Sequence, residues 1–384
     1  MEASELYEIA SRGEDHSVQF KGTVTRADSL AAELVAFSNS GGGRIFVGIS
    51  DQGDVVGLTP DEVGRLNQII SSAASQHVNP PVSPATENVT THEGTVVVIT
   101  VPDGLSKPYA DNDGRVWLKV GADKRKAISR EEVLRMYQSS GQIHGDEVPA
   151  KGLQVSEVDL KYFRDFYEAQ YGSWDENPLP LSRLMENMNL AKHGVLNVAG
   201  ALLFVSEPQF RLPAFVVKAV AFLENDIAST DYLDSQDLTG KLSVVFQASL
   251  GFVLRNLSHL QKDKGFNTQG DPEIPRIVLE ELLANALIHR DYFTSAPVRL
   301  LVFPDRIEIV SPGCLPNNLT VENIKLGNSN MRNPILASFA TKLLPYRGLG
   351  SGIVRALKAY PDIDFENDRE GNLFRVTIRR PLPE

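Results

Sequence analysis

Apolar residues recur at two different spacings along the chain, and the alternation predicts a fold that mixes helices and strands. In residues 29–38, Leu30, Leu34 and Phe37 are spaced to form one face of a helix. Residues 44–49 are instead rich in β-branched and aromatic side chains, which is typical of a strand. The same criteria predict further elements in the first 140 residues: a helix at 61–75, strands at 95–101 and 116–120, and a helix from Ser129 to Tyr137.

The rest of the chain shows the same mixture after a segment without periodicity. Residues 139–152 carry serine, glycine and proline, and we predict a linker there. The predicted helices are 160–167, 181–188, 242–257, 275–290, 334–341 and 352–359, and the predicted strands are 197–205, 214–222, 297–303, 306–311 and 373–378. We therefore expect an α/β (α+β) protein with an N-terminal domain at 1–140 and a C-terminal domain at 266–384. The middle segment, 141–265, either stands alone or completes the C-terminal domain.

Charge and cysteine content narrow the classes of protein. The chain has 384 residues, with 49 acidic and 38 basic side chains and a net charge of −11, so a nucleic-acid site must be a local basic patch. Cys314 is the single cysteine, which excludes a disulfide within the chain and fits a reducing compartment. No apolar run approaches the ~18 residues of a membrane span and no signal peptide is visible, so we expect a cytoplasmic protein without a membrane segment.

A polar stripe interrupts the helix predicted at 275–290. Glu281, Asn285 and His289 are four residues apart and therefore share one helix face, while Leu282 and Ala286 can face a sheet. Asparagine is only a modest helix former, because its side chain competes for backbone hydrogen bonds. The stripe therefore indicates either a functional site or a solvated helix face.

A glycine-rich turn precedes the helix predicted at 352–359. Gly348, Gly350 and Gly352 alternate with Leu349 and Ser351. Glycines allow positive φ and leave backbone amides open, and the N-terminus of a helix favours an anion. The turn is suited to cradle phosphate, although a plain loop before a helix has the same composition.

These two elements, with two motifs between them, resemble the GHKL ATPases, the superfamily of gyrase and the histidine kinases. Residues 281–292 read E-x-x-x-N-A-x-x-H-R-D-Y, residues 305–316 read D-R-I-E-I-x-S-P-G-x-L-P, and residues 332–334 read R-N-P. The similarity is greatest to a divergent branch found in bacterial transcriptional-regulator-like proteins, and it covers about residues 270–380. It implies a GHKL-type α/β sandwich that binds ATP and Mg²⁺.

The resemblance also implies roles for single residues. Asn285 would hold Mg²⁺ between the ATP phosphates, and Glu281 would orient or deprotonate the attacking water as the catalytic residue. The implied ATP-binding residues are Asn285, His289, Ser311, Gly313, Gly348, Gly350, Ser351 and Gly352. Typical members have D-x-G-x-G after the strand, with an aspartate that accepts the adenine amine. Here Ser311 occupies that position, and a serine accepts this hydrogen bond more weakly than a carboxylate.

The N-terminal region carries a second set of motifs. Residues 14–21 fit E-x-x-x-x-E-F-K except at Gln19, and residues 36–53 fit A-F-x-N-x-x-G-G-x-x-x-x-G-x-x-D-x-G. About residues 10–135 resemble the AlbA-like domain of the Schlafen family, in whose nuclease members three carboxylates gather a divalent metal that cleaves RNA. The matching positions are Glu14, Gln19 and Asp51. Since an amide brings no charge to a hard-cation site, we expect at most a weak metal site at Glu14 and Asp51 and favour loss of nuclease activity.

A basic segment follows in the same region. Residues 115–135 contain seven basic and three acidic residues, a local charge of +4 in an acidic chain. The candidate nucleic-acid contacts are Lys21, Arg44, Lys107, Lys119, Lys124, Arg125 and Lys126, with Trp117 and Tyr109 as candidates for base stacking. A solvated turn would carry the same charges. The pattern predicts binding of DNA or RNA that depends on salt and only weakly on base sequence.

Taken together, the motifs predict an ATP-binding, nucleic-acid-binding regulator, for example of transcription, in which the nucleotide controls how the AlbA-like domain binds DNA or RNA. In related ATPases the nucleotide often completes a dimer, so the resemblance also implies a homodimer. ATP turnover is expected to be weak or absent. Two alternatives remain open: a metal-dependent Schlafen-like endoribonuclease that uses Glu14 and Asp51, and an inactive interaction scaffold.

Overall fold

The computed structural model describes residues 1–176, 179–260, 270–316 and 319–381. The chain forms two compact units, Met1–Gln142 and Ile143–Glu384, and each is described by itself. Both contain helices and sheets, which confirms the predicted α/β fold class. Within the described ranges, no helix combines the length and the apolar character that crossing a bilayer requires.

The first unit is built around a four-stranded sheet. Its elements are α1 (Ala3–Arg12), β1 (Val18–Lys21), α2 (Ala27–Asn39), β2 (Gly43–Val47), α3 (Pro60–Gln76), β3 (Val78–Asn79), β4 (Ala85–Thr90), β5 (Thr95–Val101), β6 (Ala110–Asp111), β7 (Trp117–Val120), β8 (Asp123–Lys126) and α4 (Arg130–Ser139). The sheet order is β1-β2-β5-β4, with β1 and β2 parallel and the other pairs antiparallel. Strands β3 and β6 form one separate ribbon, and β7 and β8 form another.

Alternating side chains of this sheet supply two apolar layers. Ile45 and Val47 of β2 pack with the buried face of α2, whereas Phe46 points to the other side and joins a layer with α1. Phe20 of β1 meets Phe46 edge-on, with ring centroids 6.0 Å apart. Because strand side chains alternate between faces, one short hydrophobic strand stabilises both layers.

The second unit is built around a six-stranded sheet. Its elements are β9 (Pro149–Gln154), α5 (Leu160–Tyr171), α6 (Leu181–Asn187), β10 (Ala191–Lys192), β11 (Val195–Asn197), α7 (Val198–Phe204), β12 (Val217–Phe222), β13 (Tyr232–Leu238), α8 (Leu242–Arg255), β14 (His259–Leu260), β15 (Asp271–Pro272), α9 (Arg276–Ile288), β16 (Val298–Val302), β17 (Arg306–Pro312), α10 (Val321–Lys325), α11 (Pro334–Leu343), α12 (Gly352–Ala359), β18 (Ile363–Asp368) and β19 (Leu373–Arg379). The large sheet has the order β13-β12-β16-β17-β19-β18. Only β12 and β16 run parallel in it.

Helices α8, α9 and α11 contribute to the large apolar core of the second unit together with the sheet. Helix α9 is buried along most of its length, so its polar stripe is an interruption in an otherwise apolar helix. The stripe faces helix α12, which follows the glycine turn. This packing positions the candidate site.

One prediction about the middle segment is wrong, and another is confirmed only in part. Residues 197–205, predicted as a strand, form helix α7, and Asn197 caps it by accepting a hydrogen bond from the Gly200 amide at 2.8 Å. Every residue of α7 is buried, so no polar position reveals the helical period. Residues 139–152, predicted as a linker, include the boundary between the two units at Gln142 and Ile143. They also contain a 3₁₀ turn at Gly145–Glu147 and the start of β9.

Candidate functional site

The polar stripe of α9 and the glycine turn converge on one cavity in the second unit. Glu281, Asn285 and His289 line one wall. The other predicted residues that line the cavity are Ser311 and Gly313 at the end of β17 and Gly348, Gly350 and Gly352 before α12. Ser351 is not part of the cavity wall, because its hydroxyl turns to Arg355. The structure thus brings together residues that are about 70 positions apart in the sequence.

Two glycines of the turn lie in close contact with their neighbours. Gly350 has φ +72°, and a Cβ there would lie 2.4 Å from the carbonyl oxygen of Gly327. A Cβ on Gly352 would lie 2.5 Å from Oε2 of Glu281. At Gly350 both the positive φ and the backbone contact require glycine, whereas a side chain on Gly352 would have to displace the Glu281 carboxylate.

Glu281 is engaged in an ion pair that the sequence did not predict. Arg355 Nε donates to Glu281 Oε1 at 2.8 Å, Arg355 Nη2 donates to the same oxygen, and Arg355 Nη1 donates to Ser351 Oγ at 2.6 Å. The Glu281 side chain is 3% exposed, and its second oxygen, Oε2, is buried without a hydrogen-bond partner among the described residues. The pair therefore satisfies only half of a buried carboxylate.

The residues present fit a nucleotide with its metal ion in two respects. The orphaned Oε2 of Glu281 is an acceptor without a donor, which suits a cation or a water molecule. In the described part of the chain, no group hydrogen-bonds the side-chain amide of Asn285, whose oxygen is a suitable Mg²⁺ ligand. In a third respect the residues do not fit as they stand. Arg355 is bound to the Glu281 carboxylate, so it must move before Glu281 can act on a ligand.

His289 lies at the C-terminal end of α9 and is the last residue of the polar stripe. Its Nε2 lies 3.2 Å from the hydroxyl of Tyr346, which also lines the cavity. Burial of the ring, with a smaller contribution from the positive charge of Arg332, lowers the pKa of His289 to about 4. The imidazole is therefore neutral at physiological pH and can accept or donate a hydrogen bond without bringing charge to the cavity.

The strand end that carries Ser311 is fixed by buried polar contacts. Ser311 Oγ donates to the carbonyl oxygen of Ala286 on α9 at 3.0 Å. Gly313 has φ +102°, and a Cβ there would lie 2.0 Å from Nη1 of Arg332. Asn333 donates to the carbonyl oxygens of Ile288 and Arg290 at 2.8 Å each. The R-N-P motif therefore supports the cavity wall from behind instead of lining it.

Among the cavity residues that sequence reasoning missed are Tyr346, Arg347 and Arg355. Arg347 is exposed at the cavity edge and has no ion-pair partner among the described residues. Arg355 stands four residues after Ser351, one helical turn into α12. A cation at that distance from a glycine turn was the available signal, since it is where an anion bound to the turn would be neutralised.

In the first unit, Gln19 stands where the nuclease motif has a carboxylate, and it hydrogen-bonds both Glu14 and Lys119. Gln19 is buried, its Nε2 donates to Glu14 Oε1, and its Oε1 accepts from the ammonium of Lys119 at 2.7 Å. Lys119 also donates to the carbonyl oxygen of Ala122. Desolvation by burial lowers the pKa of Lys119, with Glu33 and Glu14 acting in the opposite direction. Lys119 is therefore a buried structural cation and does not lie on the surface.

Most of the other candidate phosphate contacts are paired with carboxylates. Lys124 lies 2.6 Å and Lys21 lies 3.7 Å from Oε1 of Glu33, whose side chain is 4% exposed. Lys107 pairs with Asp103 at 2.6 Å. Arg125 pairs with Glu132, and this pair lowers the pKa of Glu132 to about 2.

Two of the candidates keep free charges. Among the described residues, Arg44 and Lys126 have no carboxylate partner. The Lys126 ammonium lies 5.4 Å and the Lys124 ammonium 5.9 Å from the ring centroid of Trp117, whose indole nitrogen donates to Asp111 at 2.7 Å. An oriented, partly exposed indole beside an exposed lysine is the combination that stacks a base and neutralises its phosphate.

Asp51, the last of the predicted metal positions, is exposed in a turn after β2. Among the residues that the structure describes, no group of three or more histidine, cysteine, aspartate or glutamate side chains is arranged to hold a metal ion. Glu14 instead accepts hydrogen bonds from Gln19 and from the backbone amide of Phe20 at 2.6 Å.

Comparison with known families agrees with both resemblances. Residues 14–128 match the family described as "Schlafen, AlbA_2", and residues 295–378 match the family described as "Putative ATP-dependent DNA helicase recG C-terminal". The chain thus carries a Schlafen AlbA_2 domain near its N-terminus and a RecG C-terminal type domain near its C-terminus, which confirms the predicted fusion. Ser311, Gly313 and the glycine turn lie inside the second match, whereas the α9 stripe precedes it.

Two solved structures show similarity over different lengths. The crystal structure of the DIP2311 protein from Corynebacterium diphtheriae is 21% identical, with 100% of this chain and 69% of that chain covered and a TM-score of 0.46. The solution structure of the N-terminal domain of a "Putative ATP-dependent DNA Helicase RecG-related Protein" from Nitrosomonas europaea is 22% identical, with 34% of this chain and 95% of that chain covered and a TM-score of 0.24. No curated protein matches the chain.

Proposed function

We propose that this protein binds a nucleoside triphosphate in the cavity of its second unit and that the nucleotide controls how the first unit binds DNA or RNA. The two matched families support a nucleic-acid-related function of ATPase type. The observation that carries the proposal is the convergence of Glu281, Asn285 and the 348–352 glycine turn on one cavity.

The cavity residues divide the work of binding a nucleotide. The backbone of the glycine turn and the N-terminus of α12 favour the phosphates, and Asn285 offers an amide oxygen to Mg²⁺. Bound Mg²⁺ would supply neutralisation of the phosphate charge, which phosphoryl transfer mainly requires together with positioning. Ser311 presents its hydroxyl oxygen to the base end of the cavity, and Glu281 orients water only when Arg355 is elsewhere.

On the nucleic-acid side, the cations without a carboxylate partner, rather than the paired ones, would make the phosphate contacts. Lys126 and Arg44 are free of carboxylates, and Trp117 offers a partly exposed ring beside Lys126. Contacts of this kind bind DNA and RNA with strong salt dependence and little sequence preference. A role in transcription regulation and a nucleotide-linked homodimer are part of the same proposal.

Metal-dependent RNA cleavage has less support. Gln19 donates to Glu14 and accepts from Lys119, so the position of a metal-binding carboxylate is taken by a neutral side chain with an internal ammonium beside it. An ammonium in contact with the ligand position disfavours a divalent cation there by charge repulsion.

The proposal is tested by measuring binding of fluorescently labelled RNA and DNA, single- and double-stranded, without nucleotide, with ADP and with ATP, each in Mg²⁺. We expect at least a threefold change in the dissociation constant with ATP, its loss in Asn285→Ala, and a homodimer detectable by light scattering when ATP is present. Asn187→Ala, at the end of α6 and not part of the cavity wall, is the matched control. Equal affinities in all three conditions would refute nucleotide control, and Mn²⁺-dependent cleavage of the RNA that is lost in Asp51→Ala would support the nuclease instead.

A further inference from the structure

The carboxylate of Glu281 lies beside the start of α12 in the wall of the cavity. A Cβ on Gly352, the first residue of α12, would lie 2.5 Å from Glu281 Oε2, so the carboxylate packs closely against the first turn of the helix. Among the described residues, no backbone amide of α12 donates to this oxygen. Helix N-termini attract anions because their amides lack intrahelical acceptors. A phosphate bound at this helix N-terminus would therefore lie next to an internal carboxylate.

Arg355 completes this arrangement from the same helix. Its guanidinium makes two hydrogen bonds to Oε1 of Glu281 and one to Ser351 Oγ, so its donors are directed at the internal carboxylate and the glycine turn. Glu281 is 3% exposed and Arg355 is 28% exposed, so the arginine is the partner that can move toward the cavity while the glutamate cannot reach solvent. Oε2 remains buried without a donor, which leaves the carboxylate incompletely stabilised in this position.

We propose that the Glu281 carboxylate competes with the phosphates of the ligand for the Arg355 guanidinium. When the ligand binds, Arg355 exchanges the Glu281 carboxylate for a nucleotide phosphate. This inference rests on the proposed nucleotide binding and adds the residue that recognises the oligophosphate. Arginine binds carboxylate and phosphate through the same forked geometry, so the exchange replaces one charge-assisted contact with another. It also releases Glu281 only when phosphate is present.

The competition predicts that removing the charge of Glu281 raises the affinity for nucleotide. A glutamate that served only in hydrolysis would leave nucleotide affinity nearly unchanged on conversion to glutamine. A competing glutamate weakens binding, so Glu281→Gln should bind ADP and ATP more tightly, whereas Arg355→Gln should bind them more weakly. Adenosine lacks phosphate, and its affinity should not change in either variant.

The test is a double-mutant cycle with titration calorimetry of ATP, ADP and adenosine in Mg²⁺ on the full chain, using wild type, Glu281→Gln, Arg355→Gln and the double variant. We expect Glu281→Gln to bind ATP about fivefold or more tightly than wild type. In the Arg355→Gln background the same substitution should give a gain in affinity that is at least about fivefold smaller, which is the coupling typical of linked sites. The matched control is Arg276→Gln with Glu280→Gln, an Arg–Glu pair on α9 at 2.7 Å that does not line the cavity.

Each outcome decides something. Equal effects of Glu281→Gln with and without Arg355, or unchanged ATP affinity in Glu281→Gln, would overturn the exchange while leaving nucleotide binding intact. Failure of wild type and all variants to bind ATP and ADP would overturn the proposed function and the exchange with it. Arg355→Lys keeps the positive charge beside Glu281 if Arg355→Gln does not fold, and it should still weaken ATP binding because the forked donor is lost.

Discussion

The ammonium of Lys119 donates a hydrogen bond to Oε1 of Gln19 across 2.7 Å, between side chains that are 100 residues apart in the sequence. Both side chains are buried, Gln19 at 6% and Lys119 at 9% exposure. This contact ties β7 to β1, so a lysine that the sequence placed among the phosphate contacts has a structural role inside the first unit.

Replacing Lys119 by methionine should destabilise the first unit. The substitution keeps most of the side-chain volume but leaves Gln19 Oε1 buried without a donor, and an unsatisfied buried acceptor costs about 1–3 kcal/mol. The free energy of unfolding is measured in urea from the fluorescence of Trp117 in a Trp174→Phe background. Lys126→Met, in which an exposed ammonium is removed, is the control and should lose less than about 1 kcal/mol. Equal losses in the two variants would contradict the structural role of Lys119.

Lys126 should instead govern the salt dependence of nucleic-acid binding. One lost phosphate contact lowers the slope of log affinity against log salt by about 1, without changing any preference for base sequence. We therefore expect Lys126→Gln to flatten this slope in a titration of labelled single-stranded RNA from low to moderate salt. Arg65→Gln removes an exposed cation on α3 of the same unit and should leave the slope unchanged. A slope that is the same in Lys126→Gln and wild type would remove Lys126 from the interface.

Lys119, Lys124 and Lys126 have different partners in the structure, and these differences could not be predicted from the sequence. Counting local charges identified the basic segment, most of which lies within the match to the "Schlafen, AlbA_2" family. Which ammonium is free depends on Glu33, which is 91 residues from Lys124, and on Gln19. Such pairings arise from tertiary packing, and no spacing rule within the segment encodes them.

The second unit shows the same division. Helical spacing placed Glu281 and Asn285 on one face, because helical periodicity is a local property. That this face would meet the glycine turn was implied only by the resemblance to the GHKL ATPases, and both line the cavity. Neither predicted Arg355, whose role depends on how α12 packs on α9. The strand predicted at 197–205 failed because an entirely buried helix has the same composition as a buried strand. Asn197, an N-cap residue before the apolar run, was the overlooked local signal.

Asp146 should make the stability of the second unit depend on pH. It is fully buried, its Oδ2 accepts a hydrogen bond from the Leu336 amide near the start of α11, and burial raises its pKa to about 6 from an ordinary value of 3.8. Because the folded-state pKa is the higher one, the stabilising contribution is complete below about pH 4 and is lost as the pH rises through 6. The difference corresponds to about 3 kcal/mol at most.

We therefore expect Asp146→Asn to gain up to about 3 kcal/mol of unfolding free energy relative to wild type between pH 4 and pH 7.5. Wild type alone would not show this clearly, since the lowered pKa of His289 makes stability fall as the pH drops from 6.5 toward 4. The measurement is urea unfolding followed by Trp174 fluorescence in a Trp117→Phe background. Asp159→Asn is the control, because the contact with Lys241 lowers the pKa of Asp159. A gain of the same size in Asp159→Asn would contradict the assignment.

Ser311 should decide which base the cavity prefers. Its hydroxyl donates to the carbonyl oxygen of Ala286 at 3.0 Å and the residue lines the cavity, so toward a ligand the hydroxyl oxygen is left as an acceptor. An acceptor at that position binds the amine of adenine and repels the carbonyl oxygen of guanine. A neutral hydrogen bond contributes about 1 kcal/mol, which corresponds to roughly a fivefold preference for ATP over GTP.

Ser311→Ala should abolish this preference by weakening ATP binding while leaving GTP binding nearly unchanged. Ser329→Ala, which removes a hydroxyl from another wall of the same cavity, should keep it. Titration calorimetry with both nucleotides on the three proteins measures the two ratios. Because the proton of Ser311 is already used within the protein, a preference for GTP in wild type would mean that the hydroxyl turns away from Ala286 to donate to the ligand. A preference for ATP that survives in Ser311→Ala would place the adenine contact on another residue.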